Sequence, residues 1–360
     1  MCEICRRTFI RRAFAFGAAS ASALLSTPLR AQAQVGGGSQ LPARGEFTIA
    51  NAYVMTMDGA LGDIAAGSVH VRNGEIIAVG SDVSGGGERI DGTDMIVMPG
   101  LVDTHWHMWN TLFRSFAGGA GPIKPEIYQP EFDNARKLGL PITVHVASAR
   151  KAVNQIEPLY RAKLMGKDVQ LIHTLSASPA ELDMIKESGS PVSVSPGSEL
   201  RIGYGYPQIS EMLAKGIAVG ISVDTSALTG SSSLFGVLKL ARDSENAKAE
   251  IEFKMTARDA LELGTIGSAR SMGVDDKIGS LKPGKRADLI AINPNTLSMA
   301  VVTDPAHLVL EATGPENVDT VVVDGRILKR GGKLLALDIP KVIAEARAAL
   351  AGVRERKKWR

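Results

Sequence analysis

Two histidines separated by one residue, His105 and His107, are the first pair in the chain that could do chemistry. Residues i and i+2 of an extended strand project to the same side, so two such imidazoles can share one cation. His145, His173 and Asp224 each lie at or near the C-terminal end of a different predicted strand. In a (β/α) barrel that is the face at which catalysis takes place. The spacing therefore predicts a metal-dependent catalytic site assembled from strand ends.

A single histidine can also be purely structural. His70, in the middle of a predicted strand, and His307, far along the chain, are expected to be structural. For His173 taken singly, a structural role stays open. For His105 and His107 a structural role is disfavoured. Two polar rings buried on one inward-facing side cost desolvation free energy unless they share a partner.

The metal ligands are limited to histidine and carboxylate side chains. The only cysteines, Cys2 and Cys5, lie in an N-terminal segment that we expect to be removed, so the mature chain from about Gln34 has none. Disulfides and thiolate metal sites are thereby excluded. Any metal must therefore be held by histidine, aspartate or glutamate side chains, which suit zinc, with ferrous iron as the alternative.

The N-terminal segment, residues 1–33, has the pattern of an export signal. Arg6 and Arg7 precede Phe9 and Ile10, a mildly apolar run follows, and Ala-Gln-Ala ends the segment as a small-x-small cleavage site. The paired arginines resemble the twin-arginine type of signal, which implies export to the periplasm. The alternative is a basic, disordered arm. The apolar run of about 15 residues is short for a bilayer, so no membrane span is expected after cleavage.

The charge distribution excludes a nucleic-acid partner. The whole chain of 360 residues has a net charge of +3, but residues 1–33 hold five arginines against one glutamate. The remainder is therefore close to −1 and has no basic stripe. A small-molecule partner is expected instead.

The elements that must position the site fall into two kinds. Short strands with turn signals occupy 46–98 and 279–335, including an Asn73-Gly74 hairpin, and neither set can bury a sheet face alone. We therefore expect them to pair into one composite β-domain, followed by a C-terminal helical segment, 336–360, with its helix over 339–357. Residues 99–278 alternate apolar strands with helices such as 179–188, which indicates βα units and a parallel sheet.

The predicted strands of this middle region are apolar runs. In the last predicted strand, 217–224, the residues that point to the same side as Asp224 are small. Small side chains are expected on the side that faces the crowded barrel axis. The five strands are expected at 96–105, 141–146, 169–173, 191–195 and 217–224.

The motifs together resemble the amidohydrolase superfamily over residues 46–335, most closely its cytosine deaminase and triazine chlorohydrolase-like branch, whose members carry one metal ion. Met98-Pro-Gly-Leu-Val-Asp-Thr-His-Trp-His107 resembles the strand-1 signature. His145, His173 and Asp224 resemble the residues of strands 5, 6 and 8. The stretch beginning at Ile278 resembles the point at which the chain re-enters the composite β-sandwich of the superfamily.

The resemblance implies an amidohydrolase-type (β/α) TIM barrel with one divalent ion, zinc or iron. His105, His107, His145 and Asp224 would be its ligands. Asp224 would also accept a proton from water and pass it to the leaving group, and His173 would orient or polarise the substrate. The implied reaction is hydrolysis of a carbon–nitrogen bond in a small nitrogenous or heterocyclic compound. Deamination, ring or amide hydrolysis and dechlorination all stay open.

Two departures from the family pattern affect this expectation. Many deaminases of the branch have His-x-x-Glu beginning at the strand-5 histidine, but Ser148 stands at the place of that glutamate. Glu199, after the fourth predicted strand, is the candidate substitute. His107 and His145 are also separated by only 38 residues, where four βα units would need on the order of 100. Strands 2 to 4 are therefore expected to be missing, and Lys124 is no convincing replacement for the family's strand-4 lysine.

A shortened barrel leaves several alternatives open. The shortening is compatible with a natural internal deletion, an assembly error in the source sequence, or a chain completed by a partner. An open sheet edge also favours a homo-oligomer. The leading hypothesis is an exported metal-dependent amidohydrolase, and its rival is a non-catalytic remnant that binds only metal or a small ligand.

Overall fold

The computed structural model describes residues 41–108, 125–149 and 151–357. The predicted export signal, both cysteines and Lys124 lie outside the described residues. Among the described residues, no helix is both long enough and apolar enough to cross a bilayer.

Strands from both ends of the chain pair in one sheet. Its order is β13-β12-β11-β10-β5-β1-β2-β3, and β4 pairs with β1. The two ends meet where β5 runs antiparallel to β10, with Ile96 opposite Ile292 and Pro99 opposite Leu289. The nine strands are β1 (Glu46–Met55), β2 (Asp63–Arg72), β3 (Glu75–Gly80), β4 (Glu88–Asp91), β5 (Ile96–Pro99), β10 (Leu289–Ile292), β11 (Val318–Val323), β12 (Arg326–Arg330) and β13 (Lys333–Leu334).

Two-residue turns with positive φ join neighbouring strands of this sheet. Asn73 and Gly74, between β2 and β3, have φ angles of 51° and 92°. Asp324 and Gly325, between β11 and β12, have φ angles of 54° and 70°. Asparagine, aspartate and glycine tolerate this conformation, whose twist matches that of the flanking strands. The predicted Asn73-Gly74 hairpin is therefore observed.

A second sheet consists of four parallel strands in the order β6-β7-β8-β9. All four are short and rich in apolar residues, and the sheet packs in a core with the surrounding helices. Its strands are β6 (Ile142–Val146), β7 (Val169–His173), β8 (Val192–Val194) and β9 (Val219–Ile221).

Helices separate these strands, as βα units require. The predicted helices 179–188 and 339–357 are observed at those bounds. The helices are α1 (Pro125–Lys137), α2 (Ile156–Arg161), α3 (Pro179–Ser188), α4 (Pro196–Ile202), α5 (Ile209–Ala214), α6 (Ser226–Thr229), α7 (Leu234–Ala249), α8 (Ala257–Glu262), a π-helical turn (Leu263–Gly267), α9 (Ser268–Ser271), α10 (Pro305–Ala312) and α11 (Ile339–Lys357).

The prediction of one continuous strand over 96–105 is wrong. β5 ends at Pro99, which lacks the amide hydrogen that a ladder needs. The chain then leaves the first sheet and runs beside β9, where Thr104 donates its backbone N–H to the Ile221 carbonyl at 3.1 Å. A parallel bridge joins Trp106 to Asp224. The predicted strand 96–105 therefore pairs with the first sheet at its beginning and lies beside β9 at its end.

The parallel strands do not form a closed barrel within 41–108, 125–149 and 151–357. There, β6 pairs with β7, and segment 101–107 lies beside β9 at the opposite edge. The fold is thus mixed α/β with a parallel sheet of the kind that a (β/α) barrel contains.

Candidate metal centre

Backbone hydrogen bonds hold the His-x-His segment against the end of β9. Asp224 donates its N–H to the His105 carbonyl at 3.0 Å, and His107 donates its N–H to the Asp224 carbonyl at 2.6 Å. Because these bonds alternate along the two segments, His105 and His107 face the same side, with Asp224 beside them.

Four side chains bring one donor atom each to a common point. The Nε2 atom of His107 lies 3.2 Å from Nε2 of His105 and 3.2 Å from Nε2 of His145. Oδ1 of Asp224 lies 3.4 Å from Nε2 of both His105 and His107. The four donor atoms all lie within 4.8 Å of one another.

This donor set fits a single divalent cation. Tetrahedral ligands at about 2.0–2.1 Å from zinc are separated by about 3.3 Å from one another. The observed nitrogen–nitrogen distances of 3.2 Å agree with that geometry. Imidazole nitrogens this close also need a proton or a cation between them, because their lone pairs otherwise repel. The residues therefore support a metal ion, and their chemistry admits both zinc and iron.

The electrostatics of the centre favour ligands in their metal-binding forms. Burial, assisted by His105 and His173, lowers the pKa of His145 to about 4. Burial and His105 also lower the pKa of His107 below its ordinary value. Both rings are therefore neutral near pH 7, which is the form that binds metal.

Two carboxyl groups near the centre differ in their pKa values. Burial opposes ionisation of Asp224, but hydrogen bonds from His105 and Ser198 outweigh it and hold the pKa of this carboxyl below its ordinary value. Burial raises the pKa of Asp103 to about 6, although this side chain accepts hydrogen bonds from the backbone N–H groups of His105 and Val223. Asp224 thus supplies the anionic donor. Asp103 accepts a backbone hydrogen bond from each of the two segments that the Trp106–Asp224 bridge joins.

The backbone is strained where the site residues leave their strands. Ala147 follows β6 with a φ of 49°, His173 ends β7 with a φ of 81°, and Asp224 follows β9 with a φ of 62°. These left-handed conformations are costly for residues other than glycine and persist where surrounding contacts over-determine them. Such strain is concentrated at functional sites.

His173 lies beside the four donors and outside the group that they form. Its ring centroid is 5.4 Å from that of His145 and 6.2 Å from that of His105. Its Nδ1 lies 2.9 Å from Oε1 of Glu199, which is fully buried. The Tyr204 ring meets the His173 ring edge-on, with 6.3 Å between centroids.

The remaining candidates lie apart from the donor group. Ser148 is buried and contributes no donor to it. His70 hydrogen-bonds Glu46 at 3.1 Å, and His307 lies in the first turn of α10, where the Asp304 side chain accepts its backbone N–H. Both histidines have local structural contacts.

Sequence reasoning missed Asp103 and Tyr204. Asp103 shares the alternating phase of His105 and His107, so the i, i+2, i+4 pattern was a signal that could have found it. Tyr204 lies 31 residues after His173 in a Gly-Tyr-Gly-Tyr stretch that carries no comparable signal.

Comparison with known proteins places these features in a family. The profile of the amidohydrolase family matches residues 124–328, which is more than half of the chain. The 5'-deoxyadenosine deaminase of Methanosarcina acetivorans is 24% identical over 423 residues, covering 84% of this chain and 97% of that protein. The 5-methylthioadenosine/S-adenosylhomocysteine deaminase of Symbiobacterium thermophilum is 30% identical over 272 residues, covering 68% of this chain and 60% of that protein.

Solved structures show the same fold. An adenosine deaminase from Xanthomonas campestris with bound zinc superposes with a TM-score of 0.79 at 19% identity, covering 87% of this chain and 100% of that one. An atrazine chlorohydrolase from Arthrobacter aurescens TC1 complexed with zinc gives a TM-score of 0.76 at 18% identity, covering 84% and 100%. The prediction of an amidohydrolase-type enzyme is confirmed. The chain therefore belongs to the amidohydrolase family, and the two curated relatives named above are deaminases.

Proposed function

We propose that this chain hydrolyses a carbon–nitrogen bond of a small nitrogenous heterocycle, with an aminopurine nucleoside as the first substrate class to test. The observation that carries the proposal is the convergence of three imidazole nitrogens and one carboxylate oxygen within 4.8 Å. The names of the relatives, two of them deaminases of adenosine-type compounds, support the substrate class. Triazines are the second class, because the structural neighbours include a triazine hydrolase.

His105, His107, His145 and Asp224 would hold the ion, and zinc is proposed because zinc is bound in two structural neighbours. A bound divalent cation would polarise water and make it nucleophilic near neutral pH. Asp224, kept anionic by its hydrogen bonds, would accept the proton of that water and deliver it to the leaving nitrogen. His173 would orient the substrate beside the donors.

We further propose that the barrel is shortened by the units that normally follow strand 1. The alignment with the Methanosarcina acetivorans protein extends over 423 residues, yet 84% of this chain is only about 300 residues. His107 and His145 are 38 residues apart, although their segments lie at opposite edges of the described parallel sheet. Missing strands 2 to 4 would account for both observations. The composite β-domain of 46–98 and 279–335 would then be a sandwich, as the resemblance implies.

Export and self-association belong to the same proposal. The twin arginines and cleavage-site pattern of residues 1–33 support delivery to the periplasm. Among the described residues β6 is an edge strand that pairs only with β7, and such an edge would favour a homo-oligomer. Cell fractionation with an antibody tests the first, and light scattering of the purified protein tests the second.

A substrate panel tests the function. The purified, zinc-loaded protein is incubated with adenosine-type nucleosides, cyclic amides, pterins and triazines, and ammonia release or ring opening is followed. We expect hydrolysis of at least one aminated heterocycle, and turnover lost in Asp224→Asn. A zinc-loaded protein that hydrolyses none of these compounds would instead fit the non-catalytic remnant.

A further inference from the structure

The buried carboxylate of Glu199 is used differently from the other buried carboxylates of the described chain. It lies on α4, directly after β8, and is fully buried. Its Oε1 accepts the Ser195 backbone N–H at 2.8 Å and lies 2.9 Å from Nδ1 of His173. Its Oε2 has no hydrogen-bond partner among the described residues.

Two other buried glutamates show what a purely structural role looks like here. Glu181 accepts backbone N–H groups on both of its oxygens, including those of Ile156 and Ser178. Glu245 does the same with Ile209 and Ser210, and also pairs with a lysine. Both therefore tie helix ends together. Glu199 instead directs its hydrogen-bonded oxygen at a histidine beside the metal centre.

The contact decides which nitrogen of His173 carries hydrogen. A carboxylate can only accept hydrogen bonds, so Nδ1 of His173 is the N–H donor to Glu199, and in the neutral imidazole Nε2 then carries the free lone pair. Hydrogen-bond partners of this kind orient imidazoles and set their basicity in metal sites. Because the His173–Glu199 pair is buried, breaking it would leave an N–H group and a carboxylate oxygen unpaired away from water, which costs free energy.

We propose that Glu199 is a positioning residue that holds His173 in the Nδ1–H tautomer, so that Nε2 accepts a hydrogen bond from an N–H of the substrate or from the attacking water. The inference rests on the proposed function, and where the donor is the substrate it narrows the substrates to compounds that present an N–H group beside the reacting carbon. It also gives the site a carboxylate where the family's glutamate is replaced by Ser148, because Glu199 acts on the site by hydrogen-bonding His173.

The tautomer is measurable without any substrate. Nitrogen-15 histidine NMR of the zinc-loaded full chain has six histidines to resolve, and His173→Asn identifies the signal of His173. We expect a protonated Nδ1 and a bare Nε2 in the parent protein. In Glu199→Gln the amide can donate as well as accept, so we expect the Nδ1–H signal to weaken or average with its tautomer. A parent protein protonated at Nε2, or a tautomer unchanged in the variant, would overturn the proposal.

Kinetics separate positioning from folding, using a compound that the panel shows to be hydrolysed. Glu199→Gln is expected to lower kcat by about 10–100-fold with little change in KM or zinc content. Glu181→Gln is the matched control, because it removes a buried charge away from His173, and its kcat is expected to equal that of the parent. An equal loss of kcat in both variants would mark Glu199 as structural. If no compound is hydrolysed, the proposed function fails, and the NMR experiment still decides the role of Glu199.

Discussion

At the scale of single residues, the centre depends on which atoms point inward. His105 and His107 meet because they are two residues apart beside β9, whereas His145 comes from the far edge of the parallel sheet. Each supplies Nε2, and Asp224 supplies the only negative charge of the four. Loss of any one ligand leaves three donors for the ion.

We expect His105→Ala to weaken zinc affinity by more than about 100-fold, which exceeds the loss that follows removal of a ligand's hydrogen-bond partner. Competition with a chelator of known affinity measures the change. His307→Ala is the control, because this exposed histidine lies in the first turn of α10 and is not a member of the donor group. Equal zinc affinity in His105→Ala and His307→Ala would contradict the assigned centre.

The pKa of His145 predicts a pH effect on the metal-free protein. Burial lowers the pKa from 6.5 to about 4 in the folded chain, so the unfolded chain binds a proton first as the pH falls. This histidine therefore costs no stability above about pH 7 and increasingly destabilises the fold between about pH 6.5 and 4. In chelator-treated protein, His145→Asn should gain stability relative to the parent across that window. Urea unfolding at pH 7.5 and 5 measures the difference, and a constant difference would contradict the prediction.

At the scale of elements, the His-x-His segment needs close contact with β9. A Cβ atom at Gly220 in β9 would meet the side chains of Thr104 and Ser271. Thr104 also hydrogen-bonds Ser193 at 2.7 Å, inside a buried cluster of hydroxyl groups that links the strands. The absence of a side chain at Gly220 therefore lets the segment that carries two ligands pack against the sheet.

Gly220→Ala is expected to destabilise the fold by about 1–3 kcal/mol, because the added methyl group overpacks this contact. Gly236→Ala, in α7, is the matched control, since a Cβ there meets nothing within 4 Å. That variant should gain about 0.5–1 kcal/mol from the higher helix propensity of alanine. Thermal unfolding compares the two, and opposite signs of the change in Tm are the expected result.

At the scale of the whole molecule, one ion would join the two edges of the parallel sheet. His105 and His107 stand beside β9 at one edge, and His145 stands on β6 at the other. Within the described residues no backbone pairing joins those edges. Metal binding should therefore stabilise the fold as well as the site.

Removal of zinc is expected to lower Tm reversibly. A ligand that binds only the folded state adds about 2.7 kcal/mol when its concentration is 100 times Kd. Differential scanning calorimetry with chelator, and then with zinc restored, measures this gain. His105→Ala should lose most of the response to zinc, and an unaltered response in that variant would contradict a cation held between the edges.

Much of this molecule is determined locally by the sequence. The Asn73-Gly74 turn, the helix over 339–357 and strand 169–173 follow from turn chemistry and apolar periodicity, which depend on near neighbours. The donor types were equally readable, because the chain contains no cysteine after Cys5, which leaves histidine and carboxylate side chains as ligands.

Tertiary structure decided the rest. It divided the apolar run after Ile96 between two sheets, and it brought Glu199 to within 2.9 Å of a histidine 26 residues earlier. Strand order and register decide such contacts, and both result from packing of the whole chain. Local patterns therefore identified which side chains could bind a metal, whereas only the packed strands determined which carboxylate orients His173.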